Sequence, residues 1–150
     1  MAGINGMDLA LEEARAAAAE GEVPVGAVIL RQGMLLGRGH NRTERKASPL
    51  AHAELEALQE ACARTGDWRL AGAELYCTLE PCAMCAGALV LARVARVIFG
   101  ARDPKFGGCG SVVDVLSAPG LNHRVDVVDG VREEESAALL RAFFQSRRTG

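Results

Sequence analysis

The chain has 150 residues, 49% of them hydrophobic and 24% charged, and 17 Lys and Arg stand against 19 Asp and Glu for a formal charge of -2. That is the profile of one globular domain spanning residues 1–150; it excludes a disordered chain, which needs few aliphatics and a high net charge, and gives no global sign of a polyanion partner. The longest uncharged stretch, Pro81 to Ala92, is well short of the roughly 20 apolar residues of a membrane span.

Met7 to Glu20 carries Leu9, Leu11 and a run of alanines with charges at Glu12, Glu13 and Arg15, which predicts a helix closed by Gly21. Because Asp8 and these charges interrupt it, the segment lacks the h-region of a secretory signal, and the expected compartment is the cytoplasm. Val23 to Leu30 and Met34 to Gly37, separated by Arg31-Gln32-Gly33, read as two antiparallel strands. Ala51 to Ala63 puts Leu55, Leu58 and Cys62 on one helical face, and Leu75 to Leu79 is β-like. Pro81 stands at the first position of a third, largely buried helix running through Leu91. Val94 to Ala101 is a strand, Phe106 to Ser111 a glycine-rich loop, Val125 to Val128 a strand, and Ser136 to Arg147 a closing helix. Helices between strands impose crossovers and parallel pairs, while the opening hairpin is antiparallel. The pattern predicts an α/β chain in three layers, α/β/α, with a mixed sheet.

Five cysteines form no disulfide-rich spacing, which favours metal binding or free thiols. The informative set is His52-Ala53-Glu54 with Pro81-Cys82-Ala83-Met84-Cys85, since one imidazole and two thiolates suit zinc and each group opens a predicted helix. Cys82 and Cys85 are three apart and share a helix face, where the positive helix end lowers thiol pKa. His52 and Glu54 approach one ion together only if it lies off the helix end, so two helix starts are expected to converge on it. Three protein ligands leave a tetrahedral ion one open position for water, with Glu54 as the base. The competing reading is a closed structural zinc site. Cys62 lies ten residues beyond His52, about 15 Å along a helix, and cannot close it. Cys77, Cys109, His40 and His123 remain as fourth ligands on sequence grounds.

The H-x-E and P-C-x-x-C pair resembles the signature of zinc nucleobase deaminases. Beyond it, Val23-Pro24-Val25-Gly26-Ala27-Val28, Gly39-His40-Asn41-Arg42, the stretch from Thr78 to Ala88, Gly100-Ala101-Arg102-Asp103-Pro104-Lys105 and Leu121-Asn122-His123-Arg124-Val125 are similar to the bacterial tRNA-specific adenosine deaminases, nearly end to end. The resemblance implies a cytidine-deaminase-like fold with a mixed five-stranded sheet, in the cytidine and deoxycytidylate deaminase superfamily. It implies hydrolysis of adenosine to inosine at the wobble position of a tRNA anticodon, typically of an arginine tRNA, by a homodimer with one Zn²⁺ per subunit. His52, Cys82 and Cys85 would hold the metal, and Glu54 would shuttle protons. Asn41 matches the position that hydrogen-bonds the target nucleotide, although Asn also suits a turn. Val25 and Ala53 match apolar pocket walls, and Arg102, Asp103 and Lys105 would flank the anticodon stem-loop. Arg141, Phe144, Arg147 and Arg148 would form a further patch on the closing helix, whereas Leu139, Leu140 and Phe143 read as its packed stripe. The chain departs from the pattern at Ser48, where many relatives carry aspartate, and at Cys109 in the glycine loop. A deaminase of free guanine, cytosine or cytidine, and a non-enzymatic zinc-stabilised module, remain the rival functions.

Overall fold

A computed structural model of the chain describes residues 4–149, with the side chains of 148 and 149 outside the described set. Asn5 accepts a hydrogen bond from the Asp8 N–H at 3.1 Å and so starts α1 (Gly6–Ala19). Gly21, at φ +79, closes it as expected, letting the Glu22 N–H return to the Ala17 carbonyl at 2.9 Å. The strands are β1 (Gly26–Arg31), β2 (Met34–His40), β3 (Glu74–Leu79), β4 (Arg96–Ala101) and β5 (Asp126–Val128). They form one five-stranded sheet in the order β2-β1-β3-β4-β5. β1 is antiparallel to both β2 and β3, and β3, β4 and β5 are mutually parallel. The sheet is therefore mixed, as the connection lengths predict.

Between the strands lie α2 (Thr43–Lys46), α3 (Ala53–Thr65) and α4 (Ala83–Leu91), and α5 (Glu133–Thr149) closes the chain. Strand residues alternate between two apolar layers. Ala27, Ile29, Leu75, Cys77, Val97 and Phe99 face the cluster under α3 and α4. Ile98 and Tyr76 face the opposite layer with Met7, Ala10 and Leu11 of α1 and Leu139 of α5. Helices therefore cover both faces of the sheet, in three layers. Among the described residues no helix is long and apolar enough to cross a membrane.

Three features differ from the sequence expectation. The short α2 carries no periodic signal; it exists because the buried Glu22 carboxylate accepts the Glu44 and Arg45 N–H groups at 3.1 and 2.7 Å, capping its first turn from across the chain. The buried face of α3 is Ala53, Glu54, Ala57, Leu58 and Ala61, with Leu55 and Cys62 only partly covered. Small residues win this face because β2 approaches it backbone first: a Cβ on Gly37 would lie 2.3 Å from the Ala57 carbonyl oxygen. Finally, α4 begins at Ala83 with Cys82 as its N-cap, so Pro81 precedes the helix instead of opening it. Met84 and Leu91 are exposed on α4, so one of its faces is uncovered.

The same close docking holds α1 to β1, where a Cβ on Gly26 would fall 2.0 Å from the Ala10 carbonyl oxygen. Gly26→Ala is expected to destabilise the protein by about 2–3 kcal/mol through overpacking. Gly120→Ala, which meets nothing within 4 Å, should stay within about 0.5 kcal/mol of the parent. Urea unfolding of both variants checks the contrast.

Candidate metal and catalytic centre

His52 is the N-cap of α3 and Cys82 the N-cap of α4, both in extended backbone, and Cys85 sits in the first turn of α4. The two helix starts converge as expected. The His52 Nδ1 lies 3.6 Å from the Cys82 Sγ and 3.4 Å from the Cys85 Sγ, and one donor atom from each residue falls within 4.8 Å of the others. Zinc bonds of about 2.3 Å to sulfur and 2.0–2.1 Å to nitrogen at a tetrahedral angle require N···S separations of about 3.6 Å. The residues present fit a metal ion of that kind.

The thiols show why this place favours a cation. Hydrogen bonds from Cys85 and His52 bring the Cys82 thiol down to about 4 against the cost of burial, whereas the hydrogen bond to Cys82 and burial push Cys85 up. The pair holds one proton between them, and the hydrogen bond to Cys82 raises His52. A divalent cation replaces those protons and satisfies both sulfurs at once.

Glu54, two residues into α3, is 3% exposed. Burial pushes its carboxyl above the ordinary glutamate value, against its own backbone N–H and the His52 imidazole, which lower it. Cys77 lies nearby in β3, its thiol pushed well up by burial and by the Glu54 charge. No fourth protein ligand closes the site among the described residues. His40 is bound between Glu13 at 2.9 Å and Glu20 at 3.0 Å, and His123 Nε2 donates to the Val94 carbonyl at 2.7 Å. The Cys109 thiol turns to the Pro81 carbonyl, and Cys77 stands outside the donor cluster.

The remaining site residues divide. Asn41 is buried at the end of β2, its Oδ1 accepting from the Thr43 N–H at 3.3 Å and its Nδ2 donating to the Val23 carbonyl at 3.5 Å. These are turn contacts. The next residue, Arg42, donates its N–H to the Ala51 carbonyl at 2.9 Å, which ties the turn to the approach to His52. Val25 and Ala53 are both packed in the main core, Ala53 between His52 and Glu54. Ser48 accepts from the Leu50 N–H at 3.1 Å in a local turn and donates its N–H to the Thr43 carbonyl at 3.1 Å.

Arg102 is engaged within the fold, its guanidinium 2.8 Å from Asp129 and over the Phe99 ring at 5.3 Å. Asp103 Oδ1 accepts from the Lys105 and Phe106 N–H groups at 3.0 and 3.2 Å, shaping a turn that leaves Lys105 exposed. Lys105 borders a cleft of about 660 Å³ with Leu140, Arg141, Phe144, Gln145 and Arg147. On the closing helix, Arg141 pairs with Glu134, and Arg147 donates to the Gly21 carbonyl and stacks on Phe143 at 4.6 Å. Phe144 stays exposed, and the Arg148 side chain lies outside the described residues.

Sequence reasoning missed two residues here. Phe106 is 71% exposed at the loop tip, signalled only as an aromatic beside a lysine. Glu80 is fully buried and accepts from the Asp103, Cys109 and Ser111 N–H groups at 3.0, 3.0 and 3.1 Å and from the Ser111 hydroxyl. Burial opposes its ionisation, yet those hydrogen bonds hold its carboxyl below the usual value. Nothing local in the sequence marks a glutamate before Pro81 as buried.

Residues 4–148 match the MafB19-like deaminase family. The chain is 49% identical to the tRNA-specific adenosine deaminase of Bacillus subtilis, over 95% of this chain and 88% of that protein. It is 47% identical to that of Agrobacterium fabrum, over 95% and 93%. A solved structure from studies of A-to-I editing by tRNA:A34 deaminases superposes with a TM-score of 0.86 at 47% identity, covering 89% of this chain and 97% of that one. The guanine deaminase of Nitrosomonas europaea superposes at 0.78 and 30% identity, covering 91% and 81%.

Cys85→Ser is expected to lower the metal retained after dialysis by about tenfold or more, because a thiolate ligand is lost. Metal content per chain by plasma mass spectrometry measures this, and undiminished content would remove Cys85 from the ligand set.

Proposed function

The chain belongs to the tRNA-specific adenosine deaminases, and from that premise we propose how its own residues carry the reaction. The reaction is the hydrolysis of adenosine 34 of tRNA to inosine, in which water replaces the amino group and ammonia leaves. The observation that carries the assignment of roles is the meeting of His52, Cys82 and Cys85 within 4.8 Å beside the buried Glu54.

His52, Cys82 and Cys85 would hold one zinc ion per subunit, which would supply Lewis acidity that brings the ionisation of water into the neutral range. Glu54 takes the proton that water gives up and delivers it to the ring nitrogen beside the reacting carbon. It then carries the second proton to the departing amino group, so that ammonia is the leaving species. A buried carboxyl whose pKa is raised suits this work, because it holds a proton at neutral pH more readily than an exposed one.

Asn41 offers its second Nδ2 hydrogen to the target nucleotide, and Val25 and Ala53 wall the pocket for the extruded base. Lys105 makes the direct phosphate contact with the anticodon stem-loop, Asp103 shapes the turn that presents it, and Arg102 supports the loop from its base. A second copy of the chain covers the open face of α4, where Met84 and Leu91 are exposed and no side chain is charged. Residues 1–150 act as one domain, in the cytoplasm where tRNA is matured.

Glu54→Gln is expected to keep its metal and lose turnover by about 10²–10⁴-fold. The assay is nucleoside mass spectrometry of inosine in an arginine tRNA bearing unmodified adenosine at the wobble position, beside free adenosine, cytidine and guanine. Inosine confined to the wobble base supports the reading; turnover of a free base with the tRNA untouched would assign the centre to a small-molecule deaminase. Full activity of Glu54→Gln would end its role as proton carrier.

A further inference from the structure

Glu80 is a buried charge that the chemistry of deamination does not use. It stands two residues before the ligand Cys82, and its own N–H is fixed to the Ala101 carbonyl at 2.8 Å. Its hydrogen-bond donors lie the other way, in the loop from Asp103 to Ser111, and the Arg102 guanidinium at the base of that loop stands 3.8 Å from its Oε1. Three of its four donors are backbone N–H groups, and the fourth is the Ser111 hydroxyl. The loop is pressed onto the same place. A Cβ on Gly107 would lie 2.5 Å from the Glu80 carboxyl carbon, and one on Gly108 would lie 2.6 Å from the Ala83 nitrogen. The Gly108 N–H donates to the Pro81 carbonyl at 2.7 Å, and Cys82 and Gly107 form a β-bridge.

The loop has some order of its own, since the Gly107 N–H donates to the Asp103 carbonyl at 2.9 Å and Cys109 packs in the main core, but its tip is held more loosely. Glycines at 107, 108 and 110 give it conformational freedom, and its tip carries Lys105 and the exposed Phe106 rather than apolar anchors. Without the carboxylate, the N–H groups of Asp103, Cys109 and Ser111 lose their acceptor, and the chain must rearrange to hydrate them. With it, Asp103, Lys105 and Phe106 are held in fixed relation to the start of α4 and therefore to the metal ligands.

We propose that Glu80 is a positioning residue for the tRNA: it locks the 103–111 loop onto the start of α4, so that the anticodon stem-loop is held in register with the metal centre. The inference rests on the reading that this loop meets the anticodon stem-loop. It assigns Glu80 to substrate capture and not to the reacting atoms, which makes KM for tRNA the quantity that moves.

The test compares Glu80→Gln, Ser111→Ala and Lys105→Ala in steady-state deamination of the wobble-adenosine tRNA, with metal content and thermal unfolding measured in parallel. Glu80→Gln places an amide donor against donors and is expected to raise KM by about tenfold, with kcat within about threefold and metal retained. Ser111→Ala, which removes a single donor, should raise KM by about two- to fivefold and carries the test if Glu80→Gln does not fold. A fall in kcat at unchanged KM in these variants would overturn the inference by placing Glu80 with the chemistry. A lower unfolding temperature with both constants unchanged would overturn it by reducing Glu80 to a stability role. Lys105→Ala separates the two levels: raised KM there with none in the Glu80 and Ser111 variants sinks this inference alone. An unchanged KM in Lys105→Ala sinks the reading of the loop as an RNA contact, and this inference with it.

Discussion

A metal-binding donor set drawn from two helices demands that both helices start at one point, and the sheet topology meets that demand. β2 and β3 are each antiparallel to β1 and so run parallel to each other, and both end at the same edge of the sheet. The chain leaves β2 at His40 and β3 at Leu79 and returns on the same face as α3 and α4. The open edge beyond the carboxyl ends of strands is where such sheets place their ligands. What remains is tolerance, because a displacement of about 1 Å at either helix start would spoil the donor geometry. Gly37 and Gly39 on β2, against Ala53, Ala57 and Ala61 on α3, set that tolerance by letting strand and helix touch backbone to backbone.

Three buried glutamates show how environment divides one residue type into different tasks. Glu22 and Glu80 are surrounded by backbone N–H groups of segments distant in sequence, and each acts as a brace: Glu22 for the turn after Asn41, Glu80 for the glycine loop. Glu54 is equally buried, but burial raises its carboxyl pKa more than its own N–H lowers it, where hydrogen bonds lower that of Glu80. Hydrogen bonds favour the charged form of Glu80, whereas burial favours the protonated form of Glu54.

The donor set, Glu54 and the order of the main elements were legible in the sequence because each rests on a local signal: H-x-E and C-x-x-C spacing, alternating valines, a glycine after an alanine-rich helix. The cap of α2 by Glu22 and the cradle around Glu80 were not, since a carboxylate's partners in both cases lie more than 20 residues away. The face with Leu55, Leu58 and Cys62 does pack on the core, but the part that alanines play there was not legible, for a related reason. Leucines outrank alanines on any hydrophobicity scale, and only the closeness of Gly37 reverses that order. At the closing helix, Arg141 and Arg147 were legible as charges, but their partners Glu134 and Gly21 were not legible as theirs.

An open fourth position would separate a catalytic centre from a structural zinc site, and X-ray absorption at the zinc edge of the purified, metal-loaded protein measures it directly. The expected spectrum has two sulfur scatterers at about 2.3 Å and two nitrogen or oxygen scatterers at about 2.0–2.1 Å, one of them imidazole and one water. A third sulfur or a second imidazole would contradict the open centre and with it the role given to Glu54.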